Sequence, residues 1–191
     1  MYVSGRCLPR TSQASSNVVV TAYDPPQVLN LTLAPGVMRT WSGLAGLNGH
    51  TQLTDVPLLD ALVHGAPLDE LLEVGTPRAG RDVRGVIDVL HARQLLAWQV
   101  RGAGGTVWAT LTPMHADVPL PVPVQVDGDI RLSRFALMRD AGDTWLLESG
   151  RSPLTATLAP GAAAAVVAGG ASPALHAMLQ MGRLLDDNDD E

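Results

Sequence analysis

The chain of 191 residues contains a single cysteine, no lysine, one phenylalanine and only 4% aromatic residues. One thiol, Cys7, excludes an internal disulfide and any thiolate-rich metal centre. It sits in a Ser/Arg/Pro-rich arm with no histidine beside it and reads as a free exposed thiol rather than a nucleophile. The five histidines, His50, His64, His91, His115 and His176, include no pair three or four residues apart, so the zinc-ligand spacing of a helix is missing. No Gly-x-Ser-x-Gly elbow surrounds Ser133, Ser149 or Ser152. Gly102, Gly104 and Gly105 separate two strand-like runs, whereas a dinucleotide fingerprint requires a strand followed by a helix. Asp69 and Glu70 are adjacent on a helix and point to different faces, so they form no acid/base pair. Nothing in the chain assembles a catalytic constellation. No apolar run reaches the ~20 residues that span a bilayer, and the N-terminus lacks the apolar centre of a secretory signal. A cytoplasmic location is the expectation.

What is present is a core-forming chain. Hydrophobic residues make up 46% and charged residues 17%, with a net charge of −6. That is enough apolar content for one or two small domains without staples. The negative balance disfavours nucleic acid, whose binding rests largely on phosphate neutralisation. Residues 186–191, Asp-Asp-Asn-Asp-Asp-Glu, read as a solvated acidic tail, since no Gly-containing loop or following helix frames them as a calcium site.

Residues 1–17 read as a flexible arm, followed by a strand at Val18–Tyr23 that Asp24-Pro-Pro26 ends. Leu29, Leu31 and Leu33 alternate with polar residues, which predicts a strand over Val28–Leu33, with Val37–Trp41 as its hairpin partner across Ala34-Pro-Gly36. The Gly-rich Ser42–Gly49 segment reads as a turn before a short run at His50–Leu53. Three helices follow. The first is capped by Thr54, carries Leu58, Leu59, Leu62 and Val63, and stops at Gly65; the second is Leu68–Val74; the third is Asp82–Gln94, with Val83, Val86, Ile87 and Leu90 at helical spacing. Leu95–Val100 and Thr106–Thr112 then predict a hairpin with Trp98 and Trp108 near each other across the strands.

After the Pro-rich residues 113–125, a meander is expected. Phe135–Arg139 and Trp145–Glu148 flank the turn Asp140-Ala-Gly-Asp143, and Leu154–Leu158 forms a third run that is an edge strand, a docking site or plain sheet. A short Ala/Val helix at Gly161–Ala168 and a helix at Pro173–Leu185, capped by Ser172, complete the chain. The fold class is therefore α+β. Strands, short helices and a closing hairpin form the pattern of a winged helix. We expect two tandem winged-helix-like modules, 18–112 and an abbreviated 126–185, joined by a linker at 113–125.

Arg131-Leu-Ser-Arg-Phe-Ala-Leu-Met-Arg139 followed by Leu146-Leu-Glu-Ser149 resembles the N-terminal region of SagB/ThcOx-type peptide dehydrogenases. Trp108-Ala-Thr-Leu-Thr-Pro113 and Leu33-Ala-Pro-Gly-Val37 fit the same region, and the resemblance spans roughly Leu29 to Leu185. It implies modules similar to RiPP recognition elements, of the PqqD-like kind, which bind leader peptides of ribosomally made precursors. The family oxidises azolines to azoles on a C-terminal nitroreductase-like domain that binds FMN. This chain ends where that domain would begin. FMN is thus expected on a partner or a further domain, and this chain is a split-gene subunit or a fragment.

Leader binding of that kind adds an extended peptide to an open sheet edge beside a helix. The candidate peptide-binding residues are Thr51 and Leu53 on the short strand and Val86, Val89, Leu90 and Arg93 on the third helix. For the apolar ones a plain core role stands as the alternative, and for Arg93 a solvated surface charge. The second module lacks the middle helix and reads as a dimerisation or spacer element, so a homo-oligomer is compatible with the sequence. The rival reading is a winged-helix DNA-binding regulator with Arg81, Arg84 and Arg93 on its recognition helix. A flavin enzyme active only as an oligomer is a third.

Overall fold

A computed structural model describes residues 27–40, 43–46, 49–53, 55–74, 82–123 and 130–186. The expected N-terminal arm, the Val18–Tyr23 strand, Cys7, the Thr54 cap and residues 187–191 lie outside them. The described residues form nine strands and five α-helices: β1 (Val28–Leu33), β2 (Met38–Thr40), β3 (Gly43–Gly46), β4 (Gly49–Gln52), α1 (Val56–His64), α2 (Leu68–Val74), α3 (Val83–Ala92), β5 (Leu96–Arg101), β6 (Val107–Pro113), β7 (Ala136–Asp140), β8 (Trp145–Ser149), β9 (Leu154–Leu158), α4 (Pro160–Val167) and α5 (Pro173–Met181). This is an α+β architecture. A six-stranded sheet runs β1-β5-β6-β9-β8-β7 and a three-stranded sheet runs β2-β3-β4, with every pairing antiparallel.

Val28–Leu33 pairs not with Met38–Thr40, as the hairpin reading expected, but with β5, from Val28 opposite Arg101 to Leu33 opposite Leu96. The reason is burial on both faces. Asn30, Leu31 and Thr32 are all buried, and Thr32 Oγ1 donates to the Leu62 carbonyl of α1 at 3.0 Å. A six-residue partner satisfies such a strand better than a three-residue one. The Ala34-Pro-Gly36 segment still turns, with Val37 N–H donating to the Ala34 carbonyl at 3.0 Å, but it delivers the chain into the second sheet.

The two halves of the chain meet where β6 pairs with β9, Ala109 opposite Leu158 through Pro113 opposite Leu154. Leu154–Leu158 is therefore interior sheet, with Leu154, Ala156 and Leu158 buried. The proline-rich stretch after β6 lies against the body, burying Val118 and Leu120. Asp117 N–H donates to the Ala92 carbonyl at 3.0 Å. The residue opposite Trp98 is Leu111, three positions on from Trp108: the hairpin closes with Arg101 opposite Val107, and a bulge between Val100 and Arg101 shifts the register by one further residue.

The helices begin where local chemistry supports them. Asp55, one residue beyond the expected Thr54, caps α1 by accepting from Leu58 N–H. Ser172 accepts from Leu175 N–H, and Pro173 opens α5 as expected. α5 stops at Met181, short of Leu185, because the chain turns at Gly182–Arg183 and Leu185 bridges back to Leu132. Among the described residues, no helix is long and apolar enough to cross a membrane.

Candidate functional site

β4 pairs with β3 on one side, Leu44 opposite Thr51 and Gly43 opposite Gln52, and ends the three-stranded sheet. Its other edge pairs with no strand among the described residues. α3 lies beside that edge. Asp82 starts the helix by accepting from Arg84 N–H at 3.1 Å. Ile87 and Leu90 anchor it in the core, while Val89 on the other side of the helix is 51% exposed. At its C-terminus Arg93 Nη1 donates to Thr51 Oγ1 at 3.0 Å, tying helix to strand.

Between them runs a groove of about 310 Å³, walled by Thr51, Gln52 and Leu53 on the strand side and by Asp82, Gly85, Val86, Val89 and Leu90 on the helix side. The volume is within the usual range for a ligand cleft. Its walls are mainly apolar, with a carboxylate at the start of α3 and the Arg93 guanidinium just past its end. Such a concavity beside a strand edge can receive an extended chain through main-chain bonds and bury alternate side chains.

Five of the sequence-derived residues, Thr51, Leu53, Val86, Val89 and Leu90, line this one groove. Leu90 is also core, at 1% exposure, so only its outer surface reaches the groove floor. Arg93 stands at the rim and lines an adjoining hollow of about 300 Å³ with Pro35, Val37, Gln94 and Thr112. Gln52, Asp82 and Gly85 were not singled out from sequence. Asp82 was legible as a helix cap, and Gly85 leaves space where a longer side chain would fill the groove. Of the rival's arginines, Arg84 Nε donates to Asp88 Oδ1 at 3.2 Å and Arg93 is bound to Thr51. Arg81 lies outside the described residues.

Comparison with models of known protein families and with curated proteins finds no match. Among the described residues, no three His, Cys, Asp or Glu side chains gather as a metal site would require.

His91, behind the groove in the last turn of α3, is buried, and its Nδ1 donates to the Val118 carbonyl at 3.0 Å. Burial pushes its pKa down, against the opposing pull of that bond and of Asp88. The unfolded chain therefore takes up this proton more readily than the folded one. The contribution of neutral His91 to stability is complete above the unfolded value of about 6.5 and is lost as pH falls through the lower folded value. Denaturant midpoints followed from about pH 8 to about pH 5 should fall with acid. His91→Asn keeps a donor for Val118 but cannot titrate, and its midpoint should fall less steeply over the same range.

Proposed function

We propose that this chain is a non-catalytic recognition or scaffold component of an FMN-dependent azoline-to-azole dehydrogenase. It would bind the leader segment of a ribosomally made precursor peptide. The observation that carries this reading is the edge of β4 that pairs with no strand among the described residues, beside the apolar groove on α3. In this reading the leader adds as a strand to β4, and its alternate side chains enter the groove against Val86, Val89 and Leu90. FMN and the oxidation belong to a nitroreductase-like partner or further domain, and holding the precursor raises the effective concentration of azoline at the flavin. The two winged-helix-like modules, the second abbreviated, would share one sheet through the β6–β9 pairing, and the complex would work in the cytoplasm.

The winged-helix DNA-binding alternative asks α3 to present free guanidinium groups. The pairing of Arg84 with Asp88, the bond from Arg93 to Thr51 and the net charge of −6 favour the peptide reading instead.

The test is purification of the chain with and without a nitroreductase-like protein encoded beside it, followed by titration with the leader segment of the neighbouring precursor. Co-elution, with flavin absorbance only when the partner is present, is the expected result. Val89→Glu should weaken leader binding by about tenfold or more, about 1.4 kcal/mol, without unfolding the chain, because Val89 is largely exposed. Binding that falls steeply with salt and accepts duplex DNA would turn the reading to the regulator.

A further inference from the structure

α2 carries charge that no described neighbour answers. Asp69, Glu70 and Glu73 are exposed, none of them joins a salt bridge among the described residues, and the last turn of the helix holds no basic residue. Asp69 and Glu73 stand one turn apart on one face, where like charges repel and weaken a helix. Leu72, beside them, is 38% exposed. The opposite imbalance lies in the second half of the chain. The guanidinium groups of Arg134 and Arg151 stand over the Phe135 ring, 4.9 and 4.0 Å from its centroid, and Phe135 is 41% exposed. Ser133 N–H donates to the Leu184 carbonyl at 3.0 Å, and Ser152 Oγ donates to the Gly182 carbonyl, which places the main chain at exposed Arg183 between the two. Stacking occupies the face of a guanidinium and not its rim of N–H donors. Of the acids in this half, Glu148 pairs with Arg139, and Asp140 and Asp143 lie at the far end of β7. Asp186 is matched by a further exposed arginine, Arg131, to whose carbonyl its N–H donates at 2.9 Å.

The two surfaces cannot neutralise each other within one copy. Ala66, two residues before α2, exchanges both main-chain bonds with Leu31 on the outer side of β1. β1 is one edge of the six-stranded sheet, whereas Phe135 leads into β7 at the other. Strand spacings of about 4.8 Å set the two edges about 24 Å apart, beyond the reach of an Arg–Asp pair. We infer that the arginine cluster is the docking surface for α2 of a second copy of this chain. Asp69 and Glu73, with Cβ atoms about 6 Å apart, offer two carboxylates to two guanidinium groups that share one ring, and Leu72 comes against Phe135. Each surface relieves the like-charge repulsion of the other. The contact joins unlike surfaces, so every copy keeps a free helix at one end and a free cluster at the other, and copies add head to tail. A helix of seven residues covers less than the ~1,200 Å² of a stable interface, so the association is weak, reversible and sensitive to salt. No residue of the α3 groove takes part, so self-association and peptide binding succeed or fail separately.

The test is sedimentation velocity of the full chain, up to millimolar concentration, in low salt and in about 1 M salt, where the screening length falls to about 3 Å. Sedimentation coefficients should rise with concentration in low salt and stay at the monomer value in high salt. Arg134→Glu with Arg151→Glu reverses the cluster, and Asp69→Arg with Glu73→Arg reverses the helix. Each reversal should raise the dissociation constant by at least tenfold. All four residues are exposed, and far-UV circular dichroism checks that the fold is kept. The neutral pairs Arg134→Gln with Arg151→Gln and Asp69→Asn with Glu73→Gln should weaken association in the same direction, and serve where a reversal disturbs the fold. Mixed in equal amounts, the two reversed variants should associate again, because the acidic helix of one meets the intact cluster of the other. A monomer at every concentration in low salt would overturn the inference. So would association that persists in high salt, that survives either reversal, or that the mixture fails to restore.

Discussion

Gly43→Ala is expected to lower stability by about 2–5 kcal/mol and to abolish the peptide binding proposed for the α3 groove together with it. Gly43 opens β3 opposite Gln52 with φ of +152°, a conformation that residues with a side chain rarely adopt. A methyl group there would overlap the Thr51 carbonyl oxygen and come within 2.7 Å of the Leu53 nitrogen. Both obstacles are main chain, so neither can swing aside. The only relief is for β4 to leave β3, and β4 is one wall of the groove. Gly36→Ala is the control. Its φ is also positive, at +80°, but nothing stands within 4 Å of the added carbon. It should cost only the backbone term of about 1–2 kcal/mol and leave binding intact. Thermal denaturation and leader titration of both variants separate a wall pushed out of place from general weakening.

Trp98→Ala should be the most damaging substitution in the core, at about 3–5 kcal/mol, against a total stability of about 5–15 kcal/mol for a typical domain. Trp98 is 1% exposed on the second strand of the large sheet, opposite Leu31 on β1 and Leu111 on β6. Removing it leaves a void that strands hydrogen-bonded on both sides cannot close. Its indole N–H has no acceptor among the described residues. Trp98→Phe removes that unpaired donor while keeping most of the ring, so it should cost less than half as much as alanine. Guanidinium midpoints followed by far-UV circular dichroism would rank the variants. A phenylalanine variant as unstable as the alanine one would mean that the indole N–H is satisfied in solution.

The elements were legible wherever a period was strong. Leu29, Leu31 and Leu33 announced β1, and Val83, Ile87 and Leu90 announced α3 within two residues of its ends. Pairing was not, because the partner of a strand is set by distant residues. β1 waits for β5 across three helices, and nothing within Val28–Leu33 names Leu96–Arg101. β3 escaped notice because Gly-Leu-Ala-Gly has little strand propensity, and it is held extended by neighbours on both sides. The tryptophan register was not legible because it depends on where the hairpin closes, Arg101 opposite Val107, and on the bulge beyond it. Proline suggested an open linker at 113–125, but Val118 and Leu120 alternate with Pro119 and Pro121 and dip into the core. The residues of the candidate site could be chosen because the third helix showed an apolar stripe and a short strand edge, Thr51 to Leu53, was expected beside it. That Arg93 ties the two together through Thr51 is a tertiary fact without a local signal.

The order of strands in the large sheet also governs how the chain reaches it. The first of its strands to be made, β1, joins a partner that appears only after α1, α2 and α3, and β6 must keep a place for β9 while the whole β7–β8 hairpin is laid down. Three of the sheet's five pairings, β5–β6, β7–β8 and β8–β9, join strands that are neighbours in the chain and can form early, whereas β1–β5 and β6–β9 need long loops to close first. These two late pairings set the pace of folding, in the range of mixed topologies between helical bundles and all-β sandwiches. A chain cut after β6 would leave Ala109 to Pro113 as a bare apolar rim, ready to pair with the wrong strand.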